Sequence, residues 1–256
     1  MSSSAVVSSL RANPAVSSIH QSLDFYWGND VRDAAMDAFH ASLVRPGDVV
    51  FDIGAHVGDR VASYRRLGAR VVALEPQPLC SRALTEIFAD DPGVRVVEAA
   101  CGASAGSVTF YVNTANPTVS TVSKDFVEAA FGANGWRGQV WDTEISVPTV
   151  TLDDLIREYG EPSFVKIDVE GYEHAVLSGL SRAVPALSFE FTTIERDVAQ
   201  QCLDRAVALG FARFNVALGD TMGFDFATWV SAEQVAAHLA GLPHEANSGD
   251  VYCRRS

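Results

Sequence analysis

The segment Val49-Val50-Phe51-Asp52-Ile53-Gly54-Ala55-His56-Val57-Gly58-Asp59 constrains what this chain can fold into more than any other. An apolar run reaches Asp52 and breaks into a turn carrying Gly54 and Gly58, and a helical pattern follows from about Arg60 to Leu67. A second apolar run, Val71-Val72-Ala73-Leu74, stops at Glu75, closely followed by Pro76. The pattern predicts strand, glycine turn, helix and strand, with an acid at the tip of each strand. A Rossmann-like sheet holds an adenosine-containing cofactor in this way. Gly54 permits the tight turn, and Gly58 lets the helix pack against the sheet. The helix N-terminus offers unpaired amides, and the second acid accepts hydrogen bonds from ribose hydroxyls.

Dinucleotide sites use a similar unit, but they need Gly-x-Gly-x-x-Gly so that backbone can approach a pyrophosphate. Here the glycines are four apart with Ala55-His56-Val57 between them, and Asp52 before the turn would repel a pyrophosphate. A cationic amino-acid moiety suits that acid. The unit therefore fits S-adenosylmethionine (SAM), which carries an ammonium and a sulfonium and no phosphate. A short-chain dehydrogenase needs Tyr-x-x-x-Lys; the only lysines are Lys124 and Lys166, preceded at that spacing by Ser120 and Pro162. As a strand-tip acid, Glu75 is expected to serve the cofactor rather than the core.

With 256 residues, 48% hydrophobic and 20% charged, the chain has enough apolar surface for one full α/β core. A net charge of −13 argues against nucleic acid or an anionic membrane as partner, since phosphates are bound by clustered Lys and Arg. Cys80, Cys101, Cys202 and Cys253 are scattered, without Cys-x-x-Cys, so neither a zinc site nor a disulfide framework is expected. No apolar run reaches membrane-spanning length, and Met1-Ser2-Ser3-Ser4-Ala5 lacks the character of a signal peptide. A soluble cytoplasmic protein is the expectation.

The first twenty or so residues, Ser- and Ala-rich, read as a mobile tail or docking arm, one that could mediate homo-oligomer contacts. Asp30 to Leu43 reads as a helix, with Val31, Ala34, Ala35, Ala38, Phe39 and Leu43 near one face. Residues 1–45 are thus expected as tail and helical arm, and 46–256 as the main domain. In that domain a helix is expected around Cys80 to Phe88, and a third strand at Arg95–Ala100. Extra strands are expected at Ser107–Val112 and Ser146–Val150. Between those two, Asn113 to Thr143 reads as a long irregular insertion, of the kind that forms lids and binding loops. Trp136 and Trp141 within it could pack the loop or stack on a sugar face.

Thr151-Leu152-Asp153-Asp154 opens a capped helix closed by Gly160 and Pro162. Phe164-Val165-Lys166-Ile167-Asp168-Val169-Glu170 then reads as a strand projecting Lys166, Asp168 and Glu170 from one side. Three charges on an interior strand are costly unless they pair or serve a site. Helix Ala175–Leu180, strand Ala186–Phe191, helix Val198–Leu209, strand Ala212–Val216, a Ser231–Gln234 capping box and a last strand at Asp250–Cys253 complete the alternation. The expected fold is α/β: a mostly parallel sheet, helices on both faces, and an antiparallel edge.

Taken in order, these motifs resemble the FkbM-type SAM-dependent methyltransferases. The resemblance runs through Phe51–Gly58, Val72–Pro76, Ala100-Cys101-Gly102, Val150–Asp154, Val165–Gly171 with Glu173, and Phe189-Glu190-Phe191. It implies the class I SAM-dependent methyltransferase fold and methyl transfer from SAM, usually to oxygen, on a small-molecule, sugar or natural-product hydroxyl. His56 departs from the family's commoner Asn, and the insertion at about 113–143 is long. By the resemblance, Asp52, Gly54, Ala55, His56, Val57, Gly58 and Glu75 would hold the methionine portion and the ribose. Ala100 and Cys101, at the tip of the third strand, would lie against the adenine, and Asp168 would close the site near the methyl donor.

The sulfonium is already activated, so such an enzyme needs to align an acceptor oxygen and help remove its proton. The candidate bases are Asp168, Glu170, His174 and Glu190, all expected near the C-terminal edge of the sheet, where open α/β folds bind ligands. Lys166 is expected to neutralise Asp168 and Glu170 or to touch substrate directly. Asp168, Glu170 and His174 could also be read as a metal cluster, but Mg²⁺ prefers oxygen ligands and the third partner is not evident, so no metal is expected. A SAM-binding regulatory or scaffold protein without turnover stands as the other function class. Transfer to nitrogen or carbon stays open within the enzymatic one.

Overall fold

A computed structural model describes residues 2–255. At the N-terminus lie helix α1 (Ser3–Ala12), a 3₁₀ turn (Pro14–Ile19), α2 (His20–Tyr26) and α3 (Asp30–His40). Strand β1 (Val49–Ile53), α4 (Asp59–Arg66), β2 (Arg70–Leu74), α5 (Pro78–Ile87) and β3 (Val94–Val97) follow. Next come β4 (Ala100–Cys101), β5 (Gly106–Val112), α6 (Lys124–Ala130) and β6 (Thr143–Val150). The chain ends with α7 (Leu152–Tyr159), β7 (Phe164–Ile167), α8 (Glu173–Ser178), β8 (Ala186–Thr192), α9 (Arg196–Leu209), β9 (Phe211–Leu218), α10 (Ala232–Gly241) and β10 (Ser248–Arg255).

The main sheet has seven strands in the order β3-β2-β1-β7-β8-β10-β9. Strands β3, β2, β1, β7 and β8 are mutually parallel, and β10 runs antiparallel between β8 and β9 at one edge. The order reverses between β1 and β7, which opens a crevice at their C-terminal ends. Period-2 alternation divides the strands between two cores. Phe51, Ile53, Val165, Ile167 and Phe189 face one core with α7, α8, α9 and α10, whereas Val50, Val71, Ala73 and Phe164 face the other with α4 and α5. A fully covered sheet leaves its strand tips as the place for polar groups. Among the described residues no helix is long and apolar enough to cross a membrane.

Several expectations need correction. The N-terminal residues are not a tail: Val7, Leu10, Val16, Ile19 and Leu23 are buried in the second core, so the arm's apolar face covers its own domain. Helix α3 buries Met36 and His40 and leaves Val31, Ala34, Ala35 and Ala38 exposed; of the expected face only Phe39 and, beyond the helix, Leu43 pack against the second core. Ala100 and Cys101 do not extend β3. The chain leaves the main sheet after Val97, and β4 joins the two extra strands, β6 and β5, in a separate three-stranded sheet. The 113–143 segment is not wholly irregular. It contains a 3₁₀ turn (Pro117–Val119) and α6, whose Phe126 packs edge-on against Trp136 and Trp141.

Candidate active site

At the C-terminal tips of β1, β2 and β7 the structure encloses a cavity of about 280 Å³. Its floor is the glycine turn. Gly54 has φ +85°, and a Cβ there would fall on the Asp168 carbonyl, so the close approach of β1 and β7 requires glycine. Gly58, at φ +83°, caps α4; a Cβ there would press into Leu84 and Phe88, so it admits α5 and the residue after it rather than the sheet. Val57 is fully buried, and its carbonyl accepts a 3.0 Å bond from Trp27 Nε1 of the N-terminal arm. Val57 and Gly58 thus shape the turn, while Asp52, Gly54, Ala55 and His56 line the cavity.

Asp52 is 2% exposed, its Oδ2 has no protein partner, and burial pushes its carboxyl up to about 7. Glu75 is equally enclosed. Its Oε2 accepts from His56 N at 2.9 Å and its Oε1 from Gln77 N at 2.8 Å, yet burial outweighs both and raises its carboxyl to about 7. Glu75 therefore also holds the turn together, contrary to the expectation that it is no part of the core. His56 sits at φ +47°, with Nδ1 3.5 Å from Cys80 Sγ and Nε2 3.4 Å from Thr118 Oγ1. Burial lowers its imidazole to about 4, so it is neutral at pH 7. Ala100 and Cys101 line the cavity, reached from the small sheet rather than from β3.

The charged strand resolves differently from its reading as one face. Strand β7 ends at Ile167. Lys166 is 2% exposed and does not line the cavity; its Nζ donates to Asp168 Oδ2 at 3.0 Å and Asp250 Oδ1 at 2.8 Å. The lysine braces β7 to β10 and aims Asp168 into the cavity. Against the upward push of burial, Lys166 and Arg60 hold the Asp168 carboxyl down at about 2. Glu170 belongs to a turn with φ +56°, where its carbonyl accepts from Thr121 Oγ1 at 2.6 Å. Its carboxyl lines the cavity with Asp168 and with Glu190 of β8, and one oxygen from each lies within 4.8 Å of the others. Burial, then the neighbouring Asp168, raises both glutamates well above the usual carboxylate range. His174 is not brought in: it sits on α8 away from the cavity, and the third member of the acidic group is Glu190 instead. The adjacent Glu173 is buried and accepts from Val169 N at 3.0 Å, which steadies the turn.

Other lining residues were not anticipated. Tyr26 comes from the arm, and its ring meets that of His56 edge-on at 5.9 Å. Arg60 lines the cavity and reaches Asp220 at 3.3 Å and Asp59 at 3.8 Å. Asp250 comes from the last strand. A charge in the apolar run Asp250-Val251-Tyr252-Cys253 was a visible signal for Asp250, and the Phe25-Tyr26-Trp27 aromatic run was one for Tyr26. Trp136 reaches the cavity wall, whereas Trp141 packs beneath it and donates to Val119 O at 2.8 Å.

The family model for the methyltransferase FkbM domain matches residues 52–209. The hexuronic acid methyltransferase AglP of Haloferax volcanii is 27% identical over 154 residues, 59% of this chain and 57% of that protein. The 31-O-demethyl-FK506 methyltransferase FkbM of Streptomyces tacrolimicus is 34% identical over 170 residues, 56% of this chain and 64% of that protein. The chain thus spans less than two-thirds of the length of either relative. Among solved structures, a SAM-dependent O-methyltransferase of Thermotoga maritima superposes with TM-score 0.45 at 11% identity, covering 93% of this chain and 71% of that one.

Proposed function

The chain belongs to the FkbM methyltransferase family, and from that premise we propose that it transfers a methyl group from SAM to a hydroxyl of a small, sugar-like acceptor. The family uses SAM as methyl donor, and the residues here fit that cofactor. The enclosed Asp52 has an oxygen without a partner, as a ligand ammonium requires, and Glu75 stands at the next strand tip toward the ribose. When bound, SAM supplies an activated methyl on a sulfonium. The chain's task is then to align an acceptor oxygen and take its proton.

The observation that carries this reading is that Asp52, Glu75, Asp168, Glu170 and Glu190 all line one cavity. Asp168, held ionised by Lys166, orients the acceptor hydroxyl and is placed to take its proton, with Glu170 and Glu190 beside it. The sugar-like acceptor is supported by a relative named for a hexuronic acid, and transfer to oxygen by one named for 31-O-demethyl-FK506. Titration calorimetry tests the cofactor: SAM and S-adenosylhomocysteine should bind and NAD should not. NAD binding without SAM binding would refute it. Labelled-methyl transfer to a panel of uronic acids and polyols tests turnover; tight SAM binding with no transfer to any acceptor would favour a regulatory SAM-binding protein.

A further inference from the structure

The geometry points to a divalent-cation site formed by Asp168, Glu170 and Glu190, for a hard ion such as Mg²⁺ or Mn²⁺, at the place where the acceptor must lie. This rests on reading the cavity as the reaction site, and it adds a ligand that the family match does not supply, with Glu190 completing a set that His174 could not.

Each of the three residues offers one carboxylate oxygen, and those oxygens all lie within 4.8 Å of one another. Oxygen ligands stand about 2.0–2.1 Å from Mg²⁺ and about 2.3–2.6 Å from Ca²⁺, so two on one ion are at most about 4.2 Å apart for the first and about 5.2 Å for the second. The trio therefore fits one coordination sphere of the larger ion as it stands, and that of Mg²⁺ after a side-chain shift of about half an ångström. The ligands come from three places, the end of β7, the turn after it and β8, so they converge from different directions.

A second observation concerns what these groups lack. Glu170 is only 9% exposed, it faces the cavity, and its Oε2 has no hydrogen-bond partner; Glu190 Oε2 is likewise buried and unpartnered. Uncompensated buried carboxylates are among the costliest groups a fold can hold. The nearby cations are already engaged: Lys166 is shared between Asp168 and Asp250, and Arg60 between Asp59 and Asp220. With Lys166 shared between Asp168 and Asp250, Glu170 and Glu190 are left without a cation, and two carboxylates match the charge of one divalent ion. Three protein oxygens also leave an ion of this class open positions, where hydroxyl oxygens of a polyol acceptor can bind and be made more acidic.

The test uses the full chain, stripped with EDTA and titrated with Mn²⁺ while free Mn²⁺ is read by electron paramagnetic resonance. S-adenosylhomocysteine binding is measured in parallel by calorimetry. The expected result is one Mn²⁺ per chain, competed by Mg²⁺. The Glu170→Gln/Glu190→Gln double variant should weaken Mn²⁺ by at least about 10–100-fold, as loss of metal-site groups does, and leave S-adenosylhomocysteine affinity nearly unchanged. No Mn²⁺ binding by a wild type that still binds S-adenosylhomocysteine overturns the site, as does Mn²⁺ binding unaffected by the variant. Should the variant not fold, anomalous scattering from Mn²⁺-soaked wild-type crystals decides: a peak between the three carboxylates supports the site, and a peak elsewhere or none overturns it. Mn²⁺ bound there without S-adenosylhomocysteine binding would instead sink the cofactor reading and leave the metal site standing.

Discussion

Glu75 has two duties, and substitutions separate them. Its oxygens hold His56 N and Gln77 N while the same carboxylate faces the cavity. Glu75→Ala should weaken SAM by about 1.5–3 kcal/mol, the worth of hydrogen bonds to a charged group, and should also cost about 1–3 kcal/mol of apo stability by stranding two amides. Calorimetry and thermal unfolding of the one variant check both; a loss of SAM binding with unchanged stability would mean that the turn does not depend on Glu75. Asp168 and Lys166 form a second pair of contrasts. In Asp168→Asn, Lys166 keeps Asp250, so the fold and SAM affinity should survive while turnover falls by about 10²–10⁴-fold. In Lys166→Met two carboxylates lose their cation inside the protein, and stability should drop by about 3–5 kcal/mol. If both variants lost stability equally, Asp168 would be only a structural counter-charge.

At the scale of elements, the β1–α4 turn and the β7 end are one unit, because Gly54 lies against the Asp168 carbonyl. Gly47 and Gly54 both have left-handed backbone, yet a Cβ at Gly47 meets nothing. Gly47→Ala should therefore cost only the conformational penalty of about 1–2 kcal/mol. Gly54→Ala adds a clash with backbone that cannot yield unless β1 and β7 separate. It should abolish SAM binding and lower the melting temperature well beyond Gly47→Ala; equal melting temperatures for the two would show that the strands do not meet as described. The small sheet and α6 act as a second wall, since β4 carries Ala100 and Cys101 to the cavity from outside the main sheet.

For the molecule as a whole, the site concentrates buried acids, and that links stability to pH. Burial raises Asp52, Glu75 and Glu173 to about 7, above their unfolded values, so the folded chain holds protons that the unfolded chain has already released. That contribution is complete below the unfolded carboxylate range and is lost as pH rises through about 7. His40 and His56, lowered by burial to about 3 and about 4, act oppositely, but only below about pH 6.5, where unfolded histidine takes up protons. The melting temperature of the ligand-free protein should thus fall between pH 6.5 and pH 8. S-adenosylhomocysteine, which places an ammonium near Asp52, should flatten that fall. A melting temperature that rises across the interval would contradict the assignment of these acids as protonated in the folded state.

Local pattern was enough to read the nucleotide half of the site. Alternation in Val49–Ile53 and Val71–Leu74, the glycine spacing and the two tip acids are properties of neighbours within a few positions, and neighbours fix strand faces and turns. The alternate charges after Phe164 were likewise legible, but not their fates. Lys166 stays behind the cavity lining because Asp250, 84 positions later on β10, comes within 2.8 Å of its ammonium. Glu190 replaces His174 beside Asp168 because β8 pairs with β7 in register, whereas helix α8 carries His174 off the strand tips. Tyr26 reaches the cavity only because the arm's apolar residues fold back onto α4 and α5, an outcome that Ser- and Ala-rich composition alone does not signal. The sequence by itself determined which strand tips carry acids. Which acids meet, and which cation each one keeps, was decided by strand order and long-range packing, whose contacts leave no periodic trace along the chain.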